Sequence, residues 1–461
     1  MEQAIMAHTH AYNRRGFLKL TSQLAALGLT ATGVGLGRAR TLFAAQGPGN
    51  QTVSDYKALV CIYLFGGNDG NNLLVPLDPA RRATYESLRG DLALSASEML
   101  DAIADAQGNP YALHYGLTEL NPLYQAGHLA IVLNTGQLEK PLTRASFLAG
   151  ETAPTNLFSH SDQTLQAQTG LPTPNGSGWG GRLLDCFDST DSLGAVSVSQ
   201  PALFLQGYTS GGNVIPPGVD LRISGMSFWP NSEAQLRRQA LNQILTIDGG
   251  NRLRQAANRA MADGLQLADT LAASSGGASS VVFPGTSLGN QLKEVARIIQ
   301  VRAAQGPGRQ VFFCSMDGYD LHSSQDWTHW YLLSGLSQAL DAFFHAIGTA
   351  GLAQHVTTFT QSEFGRTLQP SGSGSDHGWG SHHLVLGGAV NGGIYGELPI
   401  LALAGPDDAN DRGVWIPKIS TSQFGATLGR WFGATDDNLA WAFPNLVHFP
   451  VSDVGFMQAA S

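Results

Sequence analysis

Ala58-Leu59-Val60-Cys61-Ile62-Tyr63-Leu64-Phe65 runs without interruption into Gly66-Gly67-Asn68-Asp69-Gly70. A continuous apolar octet ending in a glycine-rich polar turn is what a strand buried on both faces, delivering a loop, requires. The same grammar recurs at residues 129–134, 310–314 and 355–360, each apolar run giving way to a polar loop. Between these runs, apolar residues repeat at helical spacing over 236–246, 252–272, 288–304 and 327–349. Strands alternating with helices predict an α/β fold with a largely parallel sheet, and such sheets place ligands at the carboxyl ends of their strands.

Upstream lies a second informative stretch, Asn13-Arg14-Arg15-Gly16-Phe17-Leu18-Lys19, followed by uncharged residues 20–37 rich in Leu, Ala, Gly and Thr. It reads as a twin-arginine export signal spanning residues 1–45, the remainder, 46–461, forming one α/β domain. A retained membrane anchor is the alternative, but the glycines and threonines make the segment weakly hydrophobic for a bilayer span. The leader predicts a periplasmic or secreted protein, handed folded to the twin-arginine export machinery. That route suits a chain that acquires a metal before export.

Composition narrows the partners. The formal charge is -9, and removing Arg14, Arg15, Lys19, Arg38, Arg40 and Glu2 with the leader takes it to -13. With no basic tract, nucleic-acid binding is not expected. Charged residues make up 13% and glycines number 56, which suits a compact chain with many tight loops rather than a disordered one. Three cysteines cannot all pair; Cys61 and Cys314 lie in apolar runs and read as packing residues, and no Cys-x-x-Cys suggests structural zinc. A metal would have to be held by oxygen and imidazole.

Four loops carry the chemistry. Asp69 follows the first strand, where it could ligate a hard cation or make an ordinary Asx turn. In Asp317-Gly318-Tyr319-Asp320-Leu321-His322, Asp320 and His322 project to one side if the backbone is extended. The strand at 355–360 leads into Ser362-Glu363-Phe364-Gly365-Arg366, where Glu363 could ligate metal and Arg366 could grip an anion with its planar fork. Asp376-His377-Gly378-Trp379-Gly380-Ser381-His382-His383 is the densest ligand cluster, and only one of His382 and His383 can face a site in an extended segment. The Gly/Ser-rich residues 370–375 between these motifs suggest a mobile loop. Finally, Ser159 and Ser161 in Phe158-Ser159-His160-Ser161-Asp162 open a helical stretch, as N-caps or as a nucleophile at a helix N-terminus.

Together with Ile419-Ser420-Thr421-Ser422-Gln423-Phe424, these motifs make the chain resemble an exported, sulfatase-like bacterial family, domain of unknown function fifteen-oh-one. That family looks like a distant branch of the alkaline phosphatase superfamily. The resemblance implies a three-layer sandwich around a mostly parallel sheet, and hydrolysis of phosphate or sulfate esters with one or two divalent metals beside a Ser, Thr or modified Cys nucleophile. On it, Asp69, Asp320, His322, Glu363, Asp376 and His377 become the metal ligands, Ser159 or Ser161 the nucleophile, and Arg366 the catalytic anion grip. Zinc or manganese is favoured, with a small anionic ester or envelope glycan as substrate. Two departures matter: Phe364 follows Glu363 where the superfamily has a histidine after its acid, and no Cys-x-Pro-x-Arg surrounds the serines. One metal site is therefore short of a ligand unless Asp376, His382 or His160 substitutes, and the alternative is an inert protein binding a glycan or partner on the same fold.

Overall fold

The computed structural model describes residues 51–188, 191–223, 231–273 and 280–459. The expected export signal at residues 1–45, and residues 274–279 of the small-residue stretch at 273–280, lie outside these. Among the described residues, one nine-stranded sheet organises the chain, in the order Gly393–Tyr395, Leu129–Gly136, Ser381–Gly387, Val356–Gln361, Tyr56–Leu64, Gly308–Met316, Ala195–Ser197 and Asn213–Val214, with Ile419–Ser420 also paired to Leu129–Gly136. Only Ser381–Gly387 runs against its neighbours. The chain is a mixed α/β protein with a mostly parallel central sheet.

The apolar octet explains its central place. Every residue of Tyr56–Leu64 is buried, and its side chains divide between two cores. Ala58, Val60, Ile62 and Leu64 pack on one face with helices Ser287–Ala303 and Gln325–Thr349, while Leu59, Cys61 and Tyr63 pack on the other with Trp179–Asp185 and Thr421–Phe432. A strand covered on both sides must be apolar at every position, which is why alternation is missing. Helix, sheet and helix make three layers. Cys61, Cys186 and Cys314 are buried and free. No helix among the described residues is long and apolar enough to cross a membrane.

The order of strands decides where the polar loops meet. Tyr56–Leu64, Gly308–Met316 and Val356–Gln361 are parallel and end at one edge. The antiparallel Ser381–Gly387 begins at that same edge. Loops after residues 64, 316 and 361 therefore converge with the segment before residue 381. Residues 370–375, expected as a mobile loop, instead belong to an antiparallel hairpin of Arg366–Ser371 and Gly374–His377. Polar bonds fix it: the Ser375 hydroxyl donates to Gln325 at 2.6 Å, and the Asp376 amide donates to the Thr367 hydroxyl at 3.1 Å.

Four histidines are buried without charge. Burial lowers His114, His329 and His383 to about 3 and His382 to about 4, from an ordinary 6.5. The unfolded chain binds protons that the folded chain refuses, so this stability is full above about pH 6.5 and drains as pH falls towards 3. Thermal melts should show Tm falling progressively below about pH 6.5, and His383→Gln should flatten that fall. A Tm level from pH 7 to 4 would contradict it.

Candidate metal centre

The Gly66-Gly67 turn comes first, because it lets the other loops approach. Gly66 has φ of 117° and Gly67 of 89°, both in the range that favours glycine. A Cβ on Gly66 would strike the backbone of Asp320, and one on Gly67 would strike the ring of Phe364. Close approach brings Asp320 against the end of the central strand.

Around Asp320 stand three imidazoles. Its Oδ1 lies 3.0 Å from His322 Nε2 and 3.2 Å from His377 Nε2, and its Oδ2 lies 3.4 Å from His160 Nε2. His160, Asp320 and His377 offer ligand atoms all within 4.8 Å of one another, and His322 Nε2 is 3.0 Å from His377 Nε2.

Each ring is aimed from behind. His160 Nδ1 is 3.0 Å from Glu363 Oε1 and His377 Nδ1 is 2.8 Å from the Phe158 carbonyl; since these oxygens accept, each Nδ1 carries the proton and each Nε2 presents its lone pair. His322 Nδ1 is 3.5 Å from Asp376 Oδ1. Acceptors behind Nδ1 and convergent Nε2 atoms are the arrangement that orients histidines on a metal. The donor set fits: His160 Nε2 is buried and has no hydrogen-bond partner. Two imidazole nitrogens 3.0 Å apart also lie near the roughly 3.3 Å edge that Zn–N bonds of about 2.0 Å make in a tetrahedron.

Electrostatics favour a charged Asp320. Burial opposes the charge, but the hydrogen bond and charge of Arg366, with His322 and His160 adding, hold its carboxyl below the usual range. His160 is pushed up, chiefly by its bond to Glu363 and against the cost of burial. His377 is pushed down, chiefly by burial. For Asp376, burial is again outweighed by Arg412, and the carboxyl is lowered.

Several sequence expectations need correcting. Asp69 is fully buried; its carboxylate pairs with Arg89, accepts from Gln325 Nε2 at 2.7 Å and caps Gly70–Leu73 through the Asn71 amide at 3.1 Å. It has no place in the cluster. Arg366 has no exposed side-chain surface and donates to Gly66 O, Asp320 Oδ1 and Ser375 O, so it clamps the loops instead of offering its fork to an anion. Glu363 and Asp376, expected as ligands, hold His160 and His322 from behind. Ser159 caps helix His160–Thr169 by accepting from the Asp162 amide at 3.4 Å; its hydroxyl also bonds Asp162 Oδ2 at 2.6 Å and the Ser161 hydroxyl at 3.1 Å. Ser159 is thus bonded as a helix cap, and the Ser161 hydroxyl meets it from the first turn.

His382 and His383 stay outside the cluster: His382 Nδ1 accepts from the Asn134 amide at 3.0 Å, and His383 packs 5.8 Å from Phe424. His160, named in the sequence only as a possible substitute, enters because it is the first residue of the helix that Ser159 caps. The signal was there in the capping serine, whose next side chain must point out of the helix start. Phe364 packs against both rings, 4.7 Å from His377 and 4.8 Å from His160.

Two solved structures are similar to the chain at a low level. One is described as Ps i-CgsB in complex with k-i-k-neocarrahexaose (7% identity, TM-score 0.35, covering 86% of this chain and 77% of that one). The other is the phosphonate monoester hydrolase of Agrobacterium radiobacter (10% identity, TM-score 0.28, covering 82% and 74%). No curated protein matches the sequence. Residues 56–436 match the family described as protein of unknown function, DUF1501, and the chain belongs to that family.

Proposed function

We propose that this chain is an exported, metal-dependent hydrolase of phosphate or sulfate esters, built around one divalent cation held by His160, Asp320, His322 and His377. The observation that carries the reading is the convergence of three Nε2 atoms on Asp320, with an acceptor bonded to Nδ1 of His160 and of His377 and Asp376 3.5 Å from that of His322. When bound, such a cation would polarise an ester oxygen and lower the pKa of a water. The mixed imidazole and carboxylate set favours zinc or manganese.

The chain's own residues supply the rest. Arg366 keeps Asp320 ionised and fixed. Glu363 and the Phe158 carbonyl keep the protons of His160 and His377 on Nδ1, where they do not compete for the cation. With both serines engaged, water is the nucleophile this reading favours. Export rests on Arg14 and Arg15 and the uncharged stretch after them.

One observation favours the rival, an inert binding protein. The buried Arg366 leaves the leaving oxyanion without the arginine expected for it. Partly exposed Arg412 pairs with Asp376, the carboxylate beside His322.

The first test is metal content of protein exported in its native host and purified without chelator or histidine tag. About one equivalent of zinc or manganese per chain is expected, one for the single donor set around Asp320. His160→Ala should lose it, and Glu363→Gln should weaken affinity by roughly 10- to 100-fold, the effect of removing an outer carboxylate. Folded protein that takes up no added metal would end the reading. Aryl phosphates and aryl sulfates should then be screened as substrates. Asp320→Asn should drop turnover to background in protein that still folds, with Tm lowered because the buried Arg366 loses its carboxylate partner; metal-loaded wild-type protein without turnover on any ester would favour the inert rival. Arg366→Lys should lower both Tm and metal affinity, because a lysine cannot reach Gly66 O, Asp320 and Ser375 O together.

A further inference from the structure

Away from the metal cluster, a cleft of about 1330 Å3 opens between helices Ser287–Ala303 and Gln325–Thr349 and the loop after Ala195–Ser197. None of His160, Asp320, His322 and His377 lines it. Asp317 does, and Asp317 opens the loop that carries Asp320 and His322.

Aromatic rings stand at its mouth. Tyr331 lines the cleft yet is 59% exposed, and Trp327, one helical turn earlier, is 64% exposed. Residues 327, 331, 334 and 338 repeat at helical spacing and share a face. Trp330 also lines the cleft; its ring is 4.7 Å from that of Trp327 and stacks on Tyr115 at 6.0 Å. Tyr115 stacks in turn on His114 at 4.7 Å. Trp327 and Trp330 are thus anchored to the core through Tyr115 and the buried His114, and Tyr331 follows Trp327 on the same helix face. Single exposed aromatics need no explanation, but a braced tryptophan pair with a tyrosine one turn on, beside a cleft, does.

The polar lining indicates what would lie there. Gln200, Asn290, Gln300 and Gln338 contribute carboxamides, each able to donate and accept. The charged lining is balanced: Glu294 pairs with Arg297, and Lys293 stands opposite Asp317 in sign. A polyanion would need an excess of cations, and a bilayer would need a flat or convex apolar face in place of a cleft. Flat rings with neutral amides around them suit a ligand that has C–H faces and hydroxyl edges.

From this we infer that the cleft and its aromatic mouth form a binding site for a neutral oligosaccharide, with pyranose faces on Trp327 and Tyr331 and hydroxyls on the carboxamides. The site stands independently of the hydrolase reading, since an inert chain would carry it equally. Rigid aromatic side chains give such contacts at little entropic cost.

A glycan array bearing neutral and acidic oligosaccharides, probed with the full chain, tests it. Binding to at least one neutral hexasaccharide is expected. Trp327→Ala and Tyr331→Ala should each weaken that binding about tenfold or more, while Trp327→Phe keeps most of it. Both positions are exposed, so Tm and zinc uptake should stay at wild-type values, which separates this outcome from any failure of the metal site. A blank array, binding confined to acidic glycans, or binding that survives both alanine substitutions would overturn the assignment.

Discussion

A guanidinium without any exposed surface ties the site together. Arg366 reaches Gly66 O at 3.1 Å, Asp320 Oδ1 at 2.8 Å and the Ser375 carbonyl, so one side chain joins the ends of three separate segments. Burying that charge is costly unless its donors are met, and here they are met by two carbonyls and a carboxylate. The planar fork then dictates where Asp320 can sit. Everything around Asp320, the three imidazoles and the acceptors behind them, takes its geometry from that constraint.

Beneath it lies a second buried polar layer, and the division of labour between the two is informative. Arg89 donates to the carbonyls of Thr367 and Leu368 at 2.8 and 2.9 Å, and it pairs with Asp69. Gln325 joins Asp69 to Ser375, while His329 meets Asn68 Oδ1 at 3.2 Å. Asp69 therefore serves the loop by anchoring helix Gln325–Thr349 and the hairpin to the end of the central strand. A carboxylate with all its bonds made inside the protein has none left for a cation.

The contrast shows which parts of the molecule the sequence could reveal. Elements were legible because they depend on local pattern: the runs at 58–65, 129–134, 310–314 and 355–360 became strands, and 252–272 became helix Arg252–Ala273. Partners were not, because they depend on residues far away in the chain. Nothing near Asp69 announces that Arg89, at the end of helix Pro79–Arg89, would fold back on it. Ser159 drew notice as a hydroxyl at a helix start, yet the ring beside it is what the cap positions. Glu363 and Arg366 were recognised as polar groups out of place at a strand end, but their roles follow from what they touch. Residues 370–375 read as mobile from their small side chains, whereas Arg366, Gln325 and Thr367 hold that hairpin from outside it.

Charge balance at the cluster adds a final constraint. Asp320 is matched by Arg366 and Asp376 by Arg412. Two of the rings have Nδ1 engaged by an acceptor and donate from that side, and the third has Asp376 beside it. Glu363 is the acid without an arginine, and His160 is the ring pushed towards protonation by it. With neutral rings, Asp320, Asp376 and Glu363 outnumber Arg366 and Arg412 by one, so the cluster alone would exert no pull on an anion. A divalent cation in its midst would change the sign of the site, because the arginines already neutralise two of the carboxylates that would otherwise cancel it. Attraction of an anionic ester to this surface would then depend on the cation itself rather than on any basic side chain of the protein.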